Sequence, residues 1–275
     1  MNRHFTRFLF FSFCITIFLA SCEDTPSARY QVEGHEDAVI GKTIDEQILD
    51  YVSLSNNIEY LQPDSFIAAY SYLRNIKNRI VNSNNLIAVA GTETNVDCPV
   101  QLRIFDRAYS SHAFIAPGGY IYLYKELLQG LQTEAQLTAV LSHLILSSRN
   151  RVSIPKLQER FSNSFVIDLA DGGNLEVDIN LVLQELKEVA YDSSLVNVVD
   201  VETENTICEL GYDIKSYSDM FNHNQSKNLQ WYQLFPRNQN SYASYLFNTV
   251  KNYPQCIDKE IDGSVEYQSF KSSLN

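Results

Sequence analysis

The sequence predicts an α+β fold, mostly helical, and three observations carry that expectation. Apolar residues recur at helical spacing from Ile44 to Tyr60 and from Pro63-Asp64 to about Val81. Between Leu86 and Tyr124 the spacing gives way to short apolar runs of strand length. From Thr133 onward helical spacing returns and dominates.

Residues 1–21 read as a targeting segment and stand outside the fold. Arg3 and Arg7 supply a positive start, and Phe8 to Phe18 is an apolar run of signal-peptide length. The run is shorter than the ~20 apolar residues that span a bilayer. It ends in Leu19-Ala20-Ser21-Cys22, which resembles a bacterial lipobox, where cleavage before the Cys leaves a thiol for acylation. Cys22 is therefore the expected lipidation site, with membrane attachment through the lipid. Acyl chains anchor at about 0.8 kcal/mol per buried CH₂. The expected location is the bacterial cell envelope, the outer membrane favoured over the inner.

The 275-residue chain carries 21 basic and 33 acidic side chains. Without Arg3 and Arg7 the formal charge is −14, which repels phosphate backbones and excludes nucleic acid as a partner. Beyond Cys22 stand Cys98, Cys208 and Cys256, an odd number that permits at most one internal disulfide. Cys208 with Cys256 is the pairing favoured, the others staying open. No C-x-x-C pair is present to suggest a cysteine zinc site.

The polar stretch from Cys22 to residue 43 reads as a tether. Residues 44–253 form the expected domain, and 254–275 a polar tail. Within the domain, the second helix carries Phe66, Ala69, Tyr70, Leu73, Ile76 and Ile80 on one face. Leu86–Ala90, Val100–Phe105, Ala113–Ile115 and Tyr120–Tyr124 read as strands, the last two joined by the turn signal Pro117-Gly118-Gly119. Tyr120, Tyr122 and Tyr124 alternate with Ile121 and Leu123, a strand with two different faces. Thr133 is the expected N-cap of a helix running to Arg149. A short helix is expected over Pro155–Phe165, then a long one over Leu175–Leu210 interrupted near Val199. Gly211 stands at a C-cap position. Further helices are expected over Ile214–Asn222 and Tyr242–Asn252.

The helix after Thr133 contains Ala139-Val140-Leu141-Ser142-His143-Leu144-Ile145-Leu146-Ser147. In a zinc peptidase helix, A-V-L-x-H-E-x-x-H, two histidines four apart grip the metal and the Glu activates a water. Here His143 remains, while Leu144 and Ser147 occupy the Glu and second His positions. Upstream, His112-Ala113-Phe114-Ile115-Ala116-Pro117-Gly118-Gly119-Tyr120-Ile121-Tyr122 resembles the N-A-F-x-x-P-G-G-Y-I-Y segment of the HtpX and CAAX-prenyl-protease family of zinc metalloendopeptidases. His143 follows Gly119 by 24 residues, the family's spacing.

The resemblance covers roughly residues 100–245 and implies an α+β metallopeptidase-like domain with a small antiparallel sheet beside the site helix. It implies a third zinc ligand, the first Glu of an E-x-x-x-D motif. Glu188-Val189-Ala190-Tyr191-Asp192 offers Glu188 as that ligand and Asp192 behind it, with Leu210-Gly211-Tyr212-Asp213 following. Asn238 stands about where many relatives have a His. It further implies that the strand carrying Gly118, Gly119, Tyr120, Ile121 and Tyr122 binds an extended peptide by strand addition.

The departures remove separate roles. A neutral Ser147 hydroxyl is a poor zinc ligand, and Leu144 cannot serve as the base, a role worth ~10²–10⁴ in rate. The expectation is a pseudopeptidase with no catalytic residue and no cofactor, binding a polypeptide or an envelope protein partner. His143 and Glu188 are then remnants of a metal site. Read without the motif, His143 is a core histidine, and Glu188 and Asp192 are surface carboxylates one turn apart, beside Lys187 and Lys215. The alternatives are an active zinc enzyme with an unforeseen third ligand, His112 and His223 being the nearest candidates, and a purely structural lipoprotein with a filled cleft.

Overall fold

The structure, a computed structural model, describes residues 34–83, 100–221, 230–235, 239–257 and 264–275. The signal segment, Cys22, the strand expected over Leu86–Ala90, Cys98, His223 and Asn238 lie outside the described residues. The fold is mostly helical α+β. α1 (Gly34–Leu54) leads to β1 (Glu59–Leu61), α2 (Ile67–Val81), β2 (Gln101–Asp106) and β3 (Ala113–Ala116). A 3-10 turn over Pro117–Gly119 joins β3 to β4 (Tyr120–Tyr124). Seven helices follow among the described residues: α3 (Lys125–Gly130), α4 (Glu134–Arg149), α5 (Ser153–Phe161), α6 (Asn163–Ala170), α7 (Ile179–Glu188), α8 (Ser193–Glu209) and α9 (Lys215–Asp219). Beyond them come a 3-10 segment over Gln230–Leu234, α10 (Gln239–Thr249) and α11 (Ser264–Ser272). No described helix is long and apolar enough to cross a membrane.

The sheet runs β1-β2-β4-β3 and is mixed, not antiparallel throughout. β1 is antiparallel to β2, β2 is parallel to β4, and β3 is antiparallel to β4. The chain passes from β2 to the edge strand β3 and turns back between them, which sets β2 and β4 parallel. β4 is buried on both faces, because α1 lies on the Tyr122 side and α4 packs on the sheet as well.

α1 begins ten residues before the first apolar position that predicted it. Gly34–Lys42 is helical rather than tether, and Ile40 is in the core. The helix stops at Leu54, before Tyr60, because Ser55-Asn56-Asn57 turns the chain, with the Asn57 amide donating to Ser55 Oγ at 3.2 Å. Gly41 is where α1 meets the Pro117–Gly119 turn: a Cβ there would lie 2.0 Å from the Pro117 carbonyl oxygen.

α4 is the central element. Thr133 caps it, accepting from the Gln136 amide at 3.2 Å, and every residue from Glu134 to Ser147 is buried. A helix buried all round has neighbours on every side. α2, α8 and α9 pack along it, as do β3 and β4. α8 ends in a Schellman turn, Tyr212 N–H donating to Ile207 O and Gly211 N–H to Cys208 O, with Gly211 at φ 85°.

Three further expectations are corrected. The break in the long helix falls at Val189–Tyr191, and Val199 is a core residue in the middle of α8. Pro155–Phe165 is two helices divided at Ser162, whose φ is 100°. The tail is not loose: in α11, Tyr267 donates to Leu128 O and Leu131 O, and Phe270 stacks on Tyr72. Cys208 and Cys256 form the expected disulfide, their Cα atoms 5.3 Å apart.

Candidate functional site

His143 projects from α4 into a closed space with no solvent exposure. Its Nδ1 lies 3.4 Å from Ser147 Oγ, one turn on. Its Nε2 lies 3.6 Å from Oδ1 of Asp200 on α8, beyond hydrogen-bond length. The rings of Phe235, Trp231 and Tyr217 surround the imidazole at centroid distances of 4.9, 5.7 and 6.4 Å. Leu144 is likewise fully buried. Burial alone lowers the imidazole to about 3, so it is neutral.

The carboxylates nearest to it are occupied by hydroxyls. Asp200 accepts from the Tyr217 hydroxyl at 2.9 Å and from the Tyr242 hydroxyl through the same oxygen. Glu204, one turn further, accepts from Thr249, and burial pushes its carboxyl up to about 7. α8 brings both acids in on the apolar stripe formed by Val196, Val199, Thr203 and Ile207. The signal in the sequence is that stripe itself: two acids among the buried positions of one helix face.

The residues expected at the site are scattered. Glu188 is the last residue of α7, 3.3 Å from Lys187, and lines a separate cleft of about 240 Å³ with Tyr51, Arg107 and Tyr124. Asp192 is the N-cap of α8, accepting from the Ser194 amide at 2.8 Å. The two therefore do not share a helix face, because the aspartate starts a new helix. His112 is buried against Tyr124, and burial lowers it to about 4. Gly118 and Gly119 are buried and take φ of 73° and 85°, and a Cβ on Gly118 would lie 2.6 Å from Asp37 O on α1. Tyr120, Ile121 and Tyr122 belong to a strand paired on both edges, so strand addition there has no free edge to use.

A zinc site of this class takes three protein ligands and leaves one position open. The residues around His143 do not fit one. Ser147 offers a hydroxyl, each α8 acid accepts from hydroxyls through one of its oxygens, and the Phe235 ring centre stands 4.9 Å from that of the imidazole. Among the described residues, no three His, Cys, Asp or Glu side chains converge to hold a metal ion.

The neutral imidazole has a consequence for stability. The unfolded chain takes up a proton at His143 below its ordinary value of 6.5, while the folded chain refuses it until about 3. Folding stability should fall as pH drops through that window, by up to about 1.4 kcal/mol per pH unit for one proton. Urea unfolding at several pH values should show a weaker slope in His143→Phe. An unchanged slope would mean that the imidazole is already charged or hydrated at pH 6.

The comparisons with known proteins bear on one part of the chain. The model of Peptidase family M48 matches residues 77–145, about a quarter of the chain, and ends before Ser147. No curated protein matches the chain. Through that segment, with the Pro-Gly-Gly turn, β4 and the first three-quarters of α4, the chain is similar to the M48 metallopeptidases.

Proposed function

We propose that this protein is a non-proteolytic relative of the M48 metallopeptidases, held in a bacterial envelope by lipid on Cys22, that binds a polypeptide or envelope protein without cutting it. The observation that carries the reading is the enclosure of His143: it has no solvent exposure, three aromatic rings stand around its imidazole, and Leu144 beside it is fully buried, which leaves little room for a metal, a water and a substrate to meet. Binding then falls to the outer surface, because β4 offers no edge. The same filled centre supports a second reading, a purely structural lipoprotein.

Metal content and peptidase activity test the first reading together. After zinc exposure and desalting, elemental analysis should find far less than one zinc per chain. An unfolded protein substrate should remain uncut. One zinc per chain, with cleavage abolished by His143→Ala, would overturn the proposal and restore the active-enzyme alternative.

A further inference from the structure

A second cleft, of about 330 Å³, opens where α5 meets the link between α7 and α8. Its walls include Lys156, Glu159, Arg160, Glu185, Tyr191 and Asp192. Lys156 is the unusual member, because only 6% of it is exposed although long amines are rarely buried. Its Nζ donates to Val189 O at 2.6 Å and more weakly to Leu186 O at 3.4 Å, and it lies 4.6 Å from the centre of the Tyr191 ring. No carboxylate among the described residues lies within ion-pair distance of it. Glu185 faces it from α7 but leans on Arg160 at 4.0 Å, and Asp192 is spent on capping α8. Glu159, on its own helix, completes the charged groups around the cleft.

An amine buried without a counter-charge sheds its proton readily, because the low-dielectric surroundings penalise the charge. Burial pushes Lys156 down to about 7, which makes free amine accessible near neutral pH. Two neighbours suit amine chemistry. Tyr191 is almost fully buried, and its hydroxyl has no hydrogen-bond partner among the described residues. Burial raises the Glu185 carboxyl, against the opposing pull of Lys156 and Arg160.

We propose that this cleft is an amine site in which Lys156 captures a small carbonyl compound, an aldehyde, as an imine. The Nζ lone pair attacks the carbonyl carbon, and the carbonyl π pair moves to oxygen, which accepts the Tyr191 hydroxyl as a hydrogen-bond donor. A proton passes from nitrogen to that oxygen, giving a carbinolamine. The departing hydroxyl takes a proton from the Glu185 carboxyl, water leaves, and nitrogen returns its second proton to that carboxylate. The balance is amine plus aldehyde to imine plus water, with no redox partner. A desolvated lysine is a recognised nucleophile for this step, and the cleft volume is at the small end of ligand pockets, ~300–1,000 Å³.

The test treats the full chain with benzaldehyde and cyanoborohydride from pH 6 to pH 9 and maps the modified lysines by mass spectrometry. At pH 7 Lys156 should be modified at least tenfold faster than Lys42, which lies on the surface of α1, and its rate should level off above a midpoint near pH 7. Tyr191→Phe should slow Lys156 several-fold and leave that midpoint in place. Lys156→Arg, which keeps donors to Val189 O, should abolish the fast labelling with an unchanged circular dichroism spectrum. Labelling of Lys156 no faster than Lys42, or a rate that still climbs through pH 9, would overturn the proposal. Both readouts come from the unmutated protein, so they stand if a variant fails to fold. They are also independent of whether the chain binds zinc.

Discussion

Leu144→Glu should cost about 4–5 kcal/mol, a large share of the roughly 5–15 kcal/mol by which a typical domain is stable. The substitution restores the acid of the zinc peptidase motif, so in a wet cleft it would be mild. Here the position has no solvent exposure, and it sits on a helix buried from Glu134 to Ser147. The loss of a buried leucine forfeits about 1.5–3 kcal/mol of apolar burial. A carboxyl with no partner adds ~1–3 kcal/mol or more, and takes up a proton to limit the loss. Leu144→Met, close in volume, should cost less than about 1.5 kcal/mol. Urea unfolding of both variants reads the contrast directly. If Leu144→Glu were as stable as Leu144→Met, water would have to reach the side chain, and the filled-centre argument against peptidase chemistry would fall with it.

The sequence carried the local features well because their causes are local. Thr133 caps its own helix, Gly211 closes α8, and the runs at Gln101–Asp106, Ala113–Ala116 and Tyr120–Tyr124 are strands within a residue of the expected bounds. The sheet order was not legible, since β4 inserting between β2 and β3 depends on a crossover and not on any short pattern. Asp192 fits an E-x-x-x-D pattern by spacing, but the Asp-Ser-Ser before an apolar run is a helix start, and that is the role it takes. The tail shows Tyr267, Phe270 and Leu274 at helical spacing, a stripe hidden by polar neighbours. His143 is marked by its motif, but its surroundings come from distant segments: Tyr217 on α9, and Trp231 and Phe235 in and just after the 3-10 segment, reach it only once those segments pack on α4.

The peptidase-like turn and strand have work to do here that needs no substrate, and Arg103→Met exposes it. Asp45 on α1 receives Arg103 from β2 through two hydrogen bonds, Nε at 3.2 Å and Nη2 at 2.8 Å, and the Tyr122 hydroxyl from β4 at 2.8 Å. Arg103 also lies over the Tyr120 ring, 5.7 Å from its centre. The Asp45 carboxylate is about 6% exposed, so water cannot replace a lost partner. Breaking a buried pair from one side leaves an uncompensated charge, at a cost of roughly 3–5 kcal/mol. Arg103→Met should therefore lose about that much. Asp45→Asn combined with Arg103→Met should lose less than Arg103→Met alone, because no charge is then stranded. Urea unfolding of the two single variants and the double variant closes the cycle. A loss below about 1 kcal/mol in Arg103→Met would place the pair with ordinary surface bridges. The expected loss would explain why Tyr120 and Tyr122 stand in a chain whose site helix lacks its acid and second histidine: with Gly118 fitted against α1, they fasten that helix to the sheet.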